Sequence, residues 1–255
     1  MSDSWCLDEL RAGFGRTASW WARRFVADEG YWAALSLAPV ADYNLVLVDR
    51  ADGGNLGRRA VAEIEGAGVP GMVLLASSGT TEGEGLREQG WVQVATLPFV
   101  AGRAEGHTPG ELPADSRVHL LDVGDLMAAR AVTAAAYGGD LGLGEAIFRE
   151  EFVGHEHAGL VGVWAEDVLV GCCAAFGGSD FVSAWGMSVL PGQRGTGLGR
   201  ALVSGGLREM LIRVPGTTLL AIVTPDGARM TPGYSGEVLE HWQVWSRPRW
   251  MLARG

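Results

Sequence analysis

The chain has 255 residues, room for one large domain or two small ones, and 47% of them are hydrophobic, so a sizeable core can form. Thirty acidic against 20 basic side chains leave a formal net charge of −10. That balance opposes nucleic acid and anionic membranes as partners and would favour a cationic acceptor such as a free amine.

No apolar run approaches the ~20 residues that a membrane-spanning helix requires, and the opening MSDSWCLDELRAG is polar and acidic rather than a secretion signal. The expectation is a cytoplasmic protein. Cys6, Cys172 and Cys173 show no metal-ligand spacing, and the adjacent pair would point to opposite faces of a strand, so reduced, packed thiols are expected.

Residues 4–35 read as helical in pieces, with Trp5, Trp20, Trp21 and Trp32 among them. DYNLVLVDR (42–50) is short and β-branched and predicts a strand. LGRRAVAEIEGAG (56–68) predicts a helix ended by glycines, VPGMVLLAS (69–77) a strand, TTEGEGLREQG (80–90) a helix and WVQVATLPFV (91–100) an alternating strand. AGRAEGHTPGELPADS (101–116) has no apolar periodicity and reads as a linker.

Beyond it, RVHLLDV (117–123) predicts a strand, followed by helices over 124–138 and 144–154. AGLVGVWAED (158–167) and VLVGCCAAFGG (168–178) predict a hairpin turning near Glu166 and Asp167. DFVSAWGMSVLP (180–191) predicts a strand, 197–213 a helix, TTLLAIVTP (217–225) a strand and EVLEHWQVW (237–245) a last one. His155 and His157 are close, but without a further Cys/His cluster they do not make a metal site.

The stretch VLPGQRGTGLGRALV (189–203) carries the chemistry. A strand that stops and a helix that starts leave backbone N–H groups unpaired at the positive end of the helix dipole. Glycines at Gly195, Gly197 and Gly199 let an anion approach them, and Arg194 and Arg200 add charge. The spacing is neither the dinucleotide G-x-G-x-x-G nor a P-loop, since Gly199 is followed by Arg200 and Ala201. An internal echo occurs in GGNLGRRAV (53–61), which matches GTGLGRALV (195–203) at Gly53, Leu56, Gly57, Arg58 and Val61. It departs where Asp52 replaces Arg194 and Asn55 replaces Gly197, and an Asp there would repel phosphate.

Arg194-Gly195-Thr196-Gly197-Leu198-Gly199, entered through Val189-Leu190-Pro191, resembles the R-x-x-G-x-G turn of the GNAT acetyltransferase superfamily. The element order over 117–225 resembles that fold as well. The resemblance implies an α/β (α+β) fold: a mixed, mostly antiparallel GNAT-type sheet flanked by helices, in two GNAT-like halves. Residues 1–105 would be a degenerate first half, 106–116 the linker and 117–255 an acyl-CoA-binding domain.

It further implies acetyl-CoA as co-substrate, its pyrophosphate on the amides of Arg194 to Gly199 and its pantetheine arm along Met187, Ser188 and Val189. One of those three amides would polarise the acetyl carbonyl. The strand positions from which a family base projects hold Ser183 and Trp185, neither of them a base. The alternatives are a water relay or a carboxylate at Asp140, Glu145 or Glu150.

Tyr234 stands for the family's acid, although Val238-Leu239 replace the Gly-Phe that accompanies it. Trp185, Tyr137 and Asp140 would line the acceptor pocket. The implied activity is direct acetyl transfer to a primary amine of a small molecule, without a metal, by a monomer or homodimer. The alternative is a non-catalytic acyl-CoA-binding or regulatory protein on the same scaffold.

Overall fold

The computed structural model describes residues 6–103, 112–139, 141–178, 180–213, 218–225 and 236–248. In chain order these form α1 (Leu7–Ser19), β1 (Arg24–Asp28), β2 (Tyr31–Leu35), β3 (Asn44–Val48), α2 (Asn55–Ala67), β4 (Met72–Leu75), α3 (Gly83–Glu88) and β5 (Val92–Arg103). There follow β6 (Ser116–Leu120), α4 (Leu126–Tyr137), α5 (Gly142–Glu145), β7 (Ala158–Ala165), β8 (Val168–Gly177), β9 (Phe181–Val189), α6 (Leu198–Arg213), β10 (Thr218–Ile222) and β11 (Gly236–Ser246).

The chain divides into two compact units. Unit 1 comprises Met1–Val100, Ile222–Thr224 and Val238–Gly255; unit 2 comprises Ala101–Ala221 and Pro225–Glu237. The architecture is mixed α/β, an open and mostly antiparallel arrangement of strands flanked by helices.

In unit 1 the strands run β1-β2-β3-β4-β11-β5. β1, β2 and β3 pair antiparallel, and β3 pairs parallel to β4, with α2 as the crossover. β11 lies antiparallel on β4, from Gln243 opposite Leu75 to Ser246 opposite Met72. The last strand therefore sits in the sheet of unit 1, whereas the sequence reading put it with residues 117–255. Burial of both faces explains the placement: Trp242 and Val244 on one face and Trp245 on the other are buried in unit 1, Trp245 beside Val73, Leu75 and Leu86. Phe99 stacks on Trp242 with ring centroids 4.3 Å apart.

Residues 24–35, expected to be helical, form the β1–β2 hairpin instead, turning at Gly30 with φ +70°. β1 is mostly exposed along its length and shows no apolar alternation, so its sequence hides the strand.

In unit 2 the order is β10-β9-β8-β7-β6. β6 to β9 form an antiparallel meander, and β10 returns parallel to β9 after α6. α6 buries Leu198, Leu202, Leu207 and Met210 against Val161, Val163 and Ala175 of the sheet. Leu202 is fully buried, so truncating it to Ala would cost about 2–5 kcal/mol.

The helix expected over 144–154 is only α5 and a 3-10 turn at Glu150–Phe152. The Arg130 guanidinium donates twice to the Phe148 carbonyl, at 3.0 and 2.8 Å, and takes it out of any helical ladder. The end of β5 extends to Arg103, into the expected linker.

Candidate functional site

The site grows from the C-terminal end of β9. On β8, Cys172 and Ala174 are two residues apart, while their partners on β9, Ser188 and Trp185, are three apart. β9 therefore carries one extra residue, a bulge around Gly186 and Met187. Gly186 adopts φ +61°, which an L side chain resists. Among the described residues the parallel ladder to β10 is confined to Phe181 opposite Thr218 and Val182 opposite Leu219, at the start of β9.

Side chains from α4 and from β9 itself hold the bulge. The Tyr137 hydroxyl donates to the Met187 carbonyl at 2.8 Å. The Ser188 hydroxyl lies 3.1 Å from the Gly186 carbonyl and 3.3 Å from the Thr133 hydroxyl. Thr133 in turn reaches the Ala129 carbonyl at 2.9 Å, and the Cys172 sulfur lies 3.5 Å away. Two consecutive carbonyls of the bulge are thus tied by hydroxyl groups.

Past Pro191–Gln193, one turn of 3-10 helix, the chain enters the glycine turn. Gly195 and Gly197 have φ +80° and +92°, and a Cβ at Gly195 would meet nothing within 4 Å. Arg194 through Gly197 are exposed, whereas Leu198 is buried in the core, so only its backbone can meet a ligand. The Ala201 amide donates to the Gly197 carbonyl at 3.2 Å, and the amides of the first helical turn precede it. Gly199 and Arg200 are half-buried in that first turn.

The Arg194 side chain does not reach over the turn. It donates to the Val189 carbonyl at 3.3 Å and to the Ala136 carbonyl at 2.6 Å, clipping the end of α4 to the end of β9. The Thr196 hydroxyl closes the turn on the Gln193 carbonyl at 2.7 Å.

The structure thus brings together Tyr137, Met187, Ser188, Val189 and Arg194, and places Gly195 to Arg200 directly after them. Trp185 lies half-buried on β9, beside the bulge. Tyr234 and Asp140 lie outside the described residues. Glu145 and Glu150 are exposed. Ser183 is buried, and its hydroxyl has no hydrogen-bond partner among the described residues.

Sequence reasoning missed Thr133. Its signal was there: a Thr in an Ala-rich helix, four residues before Tyr137 and so on the same face. Burial pushes the Cys172 and Cys173 thiols up to about 12, so neither offers a thiolate at neutral pH. Among the described residues no group of three or more His, Cys, Asp or Glu could hold a metal ion, and no helix is long and apolar enough to cross a membrane.

Part of the chain is similar to a known family. Residues 131–230, which contain the end of α4, the bulge and the glycine turn, match the acetyltransferase (GNAT) family. Among solved structures, a GCN5-related N-acetyltransferase from Kribbella flavida superposes with a TM-score of 0.65 at 18% identity, covering 94% of this chain and 95% of that one. A GCN5-related N-acetyltransferase-like protein from Streptococcus suis gives 0.59 at 14% identity, covering 94% and 98%. A tandem GNAT protein from the clavulanic acid biosynthesis pathway gives 0.52 at 14% identity, covering 85% and 77%. At these identities the likeness is one of fold. Curated protein sequences give no match.

Proposed function

With residues 131–230 matching the acetyltransferase (GNAT) family, we propose that the protein is an acyl-CoA-dependent N-acyltransferase that moves an acetyl group from acetyl-CoA to a primary amine of a small molecule. The observation that carries this reading is the bulge at Gly186 and Met187 followed within ten residues by the left-handed glycines Gly195 and Gly197. The first can offer an amide to an acyl carbonyl, and the second can offer amides to a diphosphate.

Acyl-CoA suits the residues present. The turn is open at Gly195, its φ values exclude bulky side chains, and the α6 dipole favours an anion there. Amides of Arg194 to Arg200 would hold the diphosphate, and Met187 to Val189 would line the arm. When bound, the thioester supplies an activated acyl group. The acceptor ammonium loses one proton to solvent. The amine nitrogen then attacks the thioester carbonyl carbon; the C–N bond forms, the C–S bond breaks, and the second amine proton ends on the CoA sulfur.

Tyr234 is the proposed relay for that last proton, giving its own to the sulfur and regaining one from the amine nitrogen, and Trp185, Tyr137 and Asp140 are the proposed acceptor contacts. The buried, protonated Cys172 and Cys173 favour direct transfer over a cysteinyl acyl-enzyme. The chain's net charge of −10 favours a cationic acceptor and opposes nucleic acid and anionic membranes as partners; a cytoplasmic monomer or homodimer is proposed with it.

The test is a thiol-release assay with acetyl-CoA over a panel of amino acids, amino sugars and other small amines. Release with one amine class supports the transferase. Saturable acetyl-CoA binding with no release from any amine would favour a non-catalytic binder, the reading that Ser183 and Trp185 in place of a strand carboxylate suggest.

A further inference from the structure

The echo of the glycine turn in unit 1 is already filled. α2 opens at Gly54, which has no side chain to cap it, and Gly53 and Gly54 have φ +56° and +86°. Into this turn reaches the carboxylate of Glu82, from the segment that follows β4. Its Oε1 accepts the amides of Asp52 at 3.0 Å and Gly54 at 2.8 Å, and its Oε2 accepts the amide of Gly57 at 2.9 Å. Glu82 is 1% exposed. A carboxylate so deeply buried is costly unless its oxygens are hydrogen-bonded, and the backbone nest supplies those bonds.

The aligned repeat puts Asp52, Gly54 and Gly57 at the positions of Arg194, Thr196 and Gly199. Each turn also stands in the same local frame. β3 leads through the turn into α2 and then to the parallel strand β4, as β9 leads into α6 and then to the parallel strand β10. Gly57 is tight against its guest: a Cβ there would come within 3.3 Å of the Glu82 carbonyl oxygen and 3.5 Å of Oε2.

We propose that Glu82 is the resident anion of a backbone nest in unit 1, standing where the matching turn of unit 2 takes the CoA diphosphate, and that it closes unit 1 to acyl-CoA. Each chain then has one acyl-CoA site. The equivalence to the diphosphate rests on the functional reading above; the anion-binding capacity of the nest does not. Burial raises the Glu82 carboxyl, but the amides of Gly57, Asp52 and Gly54 with the Arg58 charge outweigh it and hold the group below the usual carboxylate range, so it stays charged at neutral pH. Asp52 adds a second negative charge at the turn, against an incoming polyanion.

The test uses the full chain with Glu82→Ala, which removes the carboxylate and keeps the amides. Melting is followed against sodium formate, sodium phosphate and, at matched ionic strength, sodium chloride. The variant should melt several degrees below wild type and recover saturably with formate, and more weakly with the larger phosphate, but not with chloride. Identical responses of variant and wild type to all three salts would overturn the proposal.

Should the Ala variant not fold, Glu82→Gln keeps the shape but turns one acceptor into a donor facing an amide. It should melt below wild type at pH 7, and equal melting would overturn the proposal. Equilibrium dialysis with acetyl-CoA separates the two readings. One equivalent per wild-type chain agrees with both, and two equivalents overturn the plug. No binding overturns the function reading and the diphosphate equivalence, and leaves the formate result to decide whether the nest is an anion site.

Discussion

The Tyr137 hydroxyl donates a 2.8 Å hydrogen bond to the carbonyl of Met187, the residue at the bulge of β9. Tyr137 is 49% exposed, so the bond contributes little to folding. Its consequence is orientational: a carbonyl held by Tyr137 fixes the peptide planes whose amides would face the acyl carbonyl in the proposed function. Tyr137→Phe should lower kcat roughly three- to tenfold, the rate equivalent of the ~0.5–1.5 kcal/mol net worth of one hydrogen bond. KM for acetyl-CoA should change less than twofold, and melting by no more than a few degrees. Steady-state kinetics beside a melting curve checks this; an unchanged kcat, or a proportional rise in KM alone, would remove Tyr137 as a positioning residue.

The paired thiols make a contrasting prediction. Cys172 and Cys173 are fully buried, and burial pushes both up to about 12 from an ordinary value of 9.0. Cys172→Ala with Cys173→Ala should leave turnover within about threefold of wild type, since neither sulfur supplies a nucleophile. The pH dependence has a definite sign. A thiol whose folded value is raised favours the folded state below its unfolded value, and that contribution fades as pH rises from about 9 towards 12. The double variant should therefore lose less stability than wild type over that window. Parallel denaturation series at several alkaline pH values would show it; parallel curves would contradict it.

The Arg11 guanidinium grips the C-terminal strand within unit 1. Nε and Nη2 donate to the two carboxylate oxygens of Glu240, each at 2.7 Å, and the Arg11 side chain is only 5% exposed. Nη1 lies 3.9 Å from Asp49, whose carboxyl burial holds above the usual range. Arg11→Ala strands two carboxylates beside a buried gap and should cost about 3–5 kcal/mol. Arg11→Met paired with Glu240→Met should recover most of that loss, because an apolar pair replaces an uncompensated charge. Urea denaturation of the single and double variants measures the coupling; additive losses would mean the pair does not act as one unit.

The glycine turn was legible because its chemistry is local. Arg194 to Gly199 sit side by side in the sequence, and the backbone conformation at Gly195 and Gly197 follows from residue type. Most strands were legible for the same reason, their apolar runs being short and β-branched. The position of β11 was not, because which strand Trp245 joins is decided by the partner Val73, some 170 residues away, and not by any local pattern.

The β1–β2 hairpin was hidden by an exposed edge strand without alternation. Glu82 was hidden differently. It looks like one more surface acid in TTEGEGLREQG, and only the fold carries it to the amides of Asp52, Gly54 and Gly57. The repeat did reveal that the first turn had departed from the second; what fills it came from the structure.

The most direct measurement is the melting temperature of wild type and Gly197→Val, each alone, with saturating acetyl-CoA and with saturating CoA. Gly197 holds φ +92°, so Val should add about 1–3 kcal/mol of strain and project a side chain into the turn. A ligand at 100 times its Kd raises stability by about 2.7 kcal/mol, a shift of a few degrees for a chain of this size. Wild type should show that shift with acetyl-CoA and a similar one with CoA, which carries the same diphosphate, and a folded Gly197→Val protein should show neither. No shift in wild type, or an undiminished shift in the variant, would contradict the assignment of the Arg194–Gly199 turn as the acyl-CoA site.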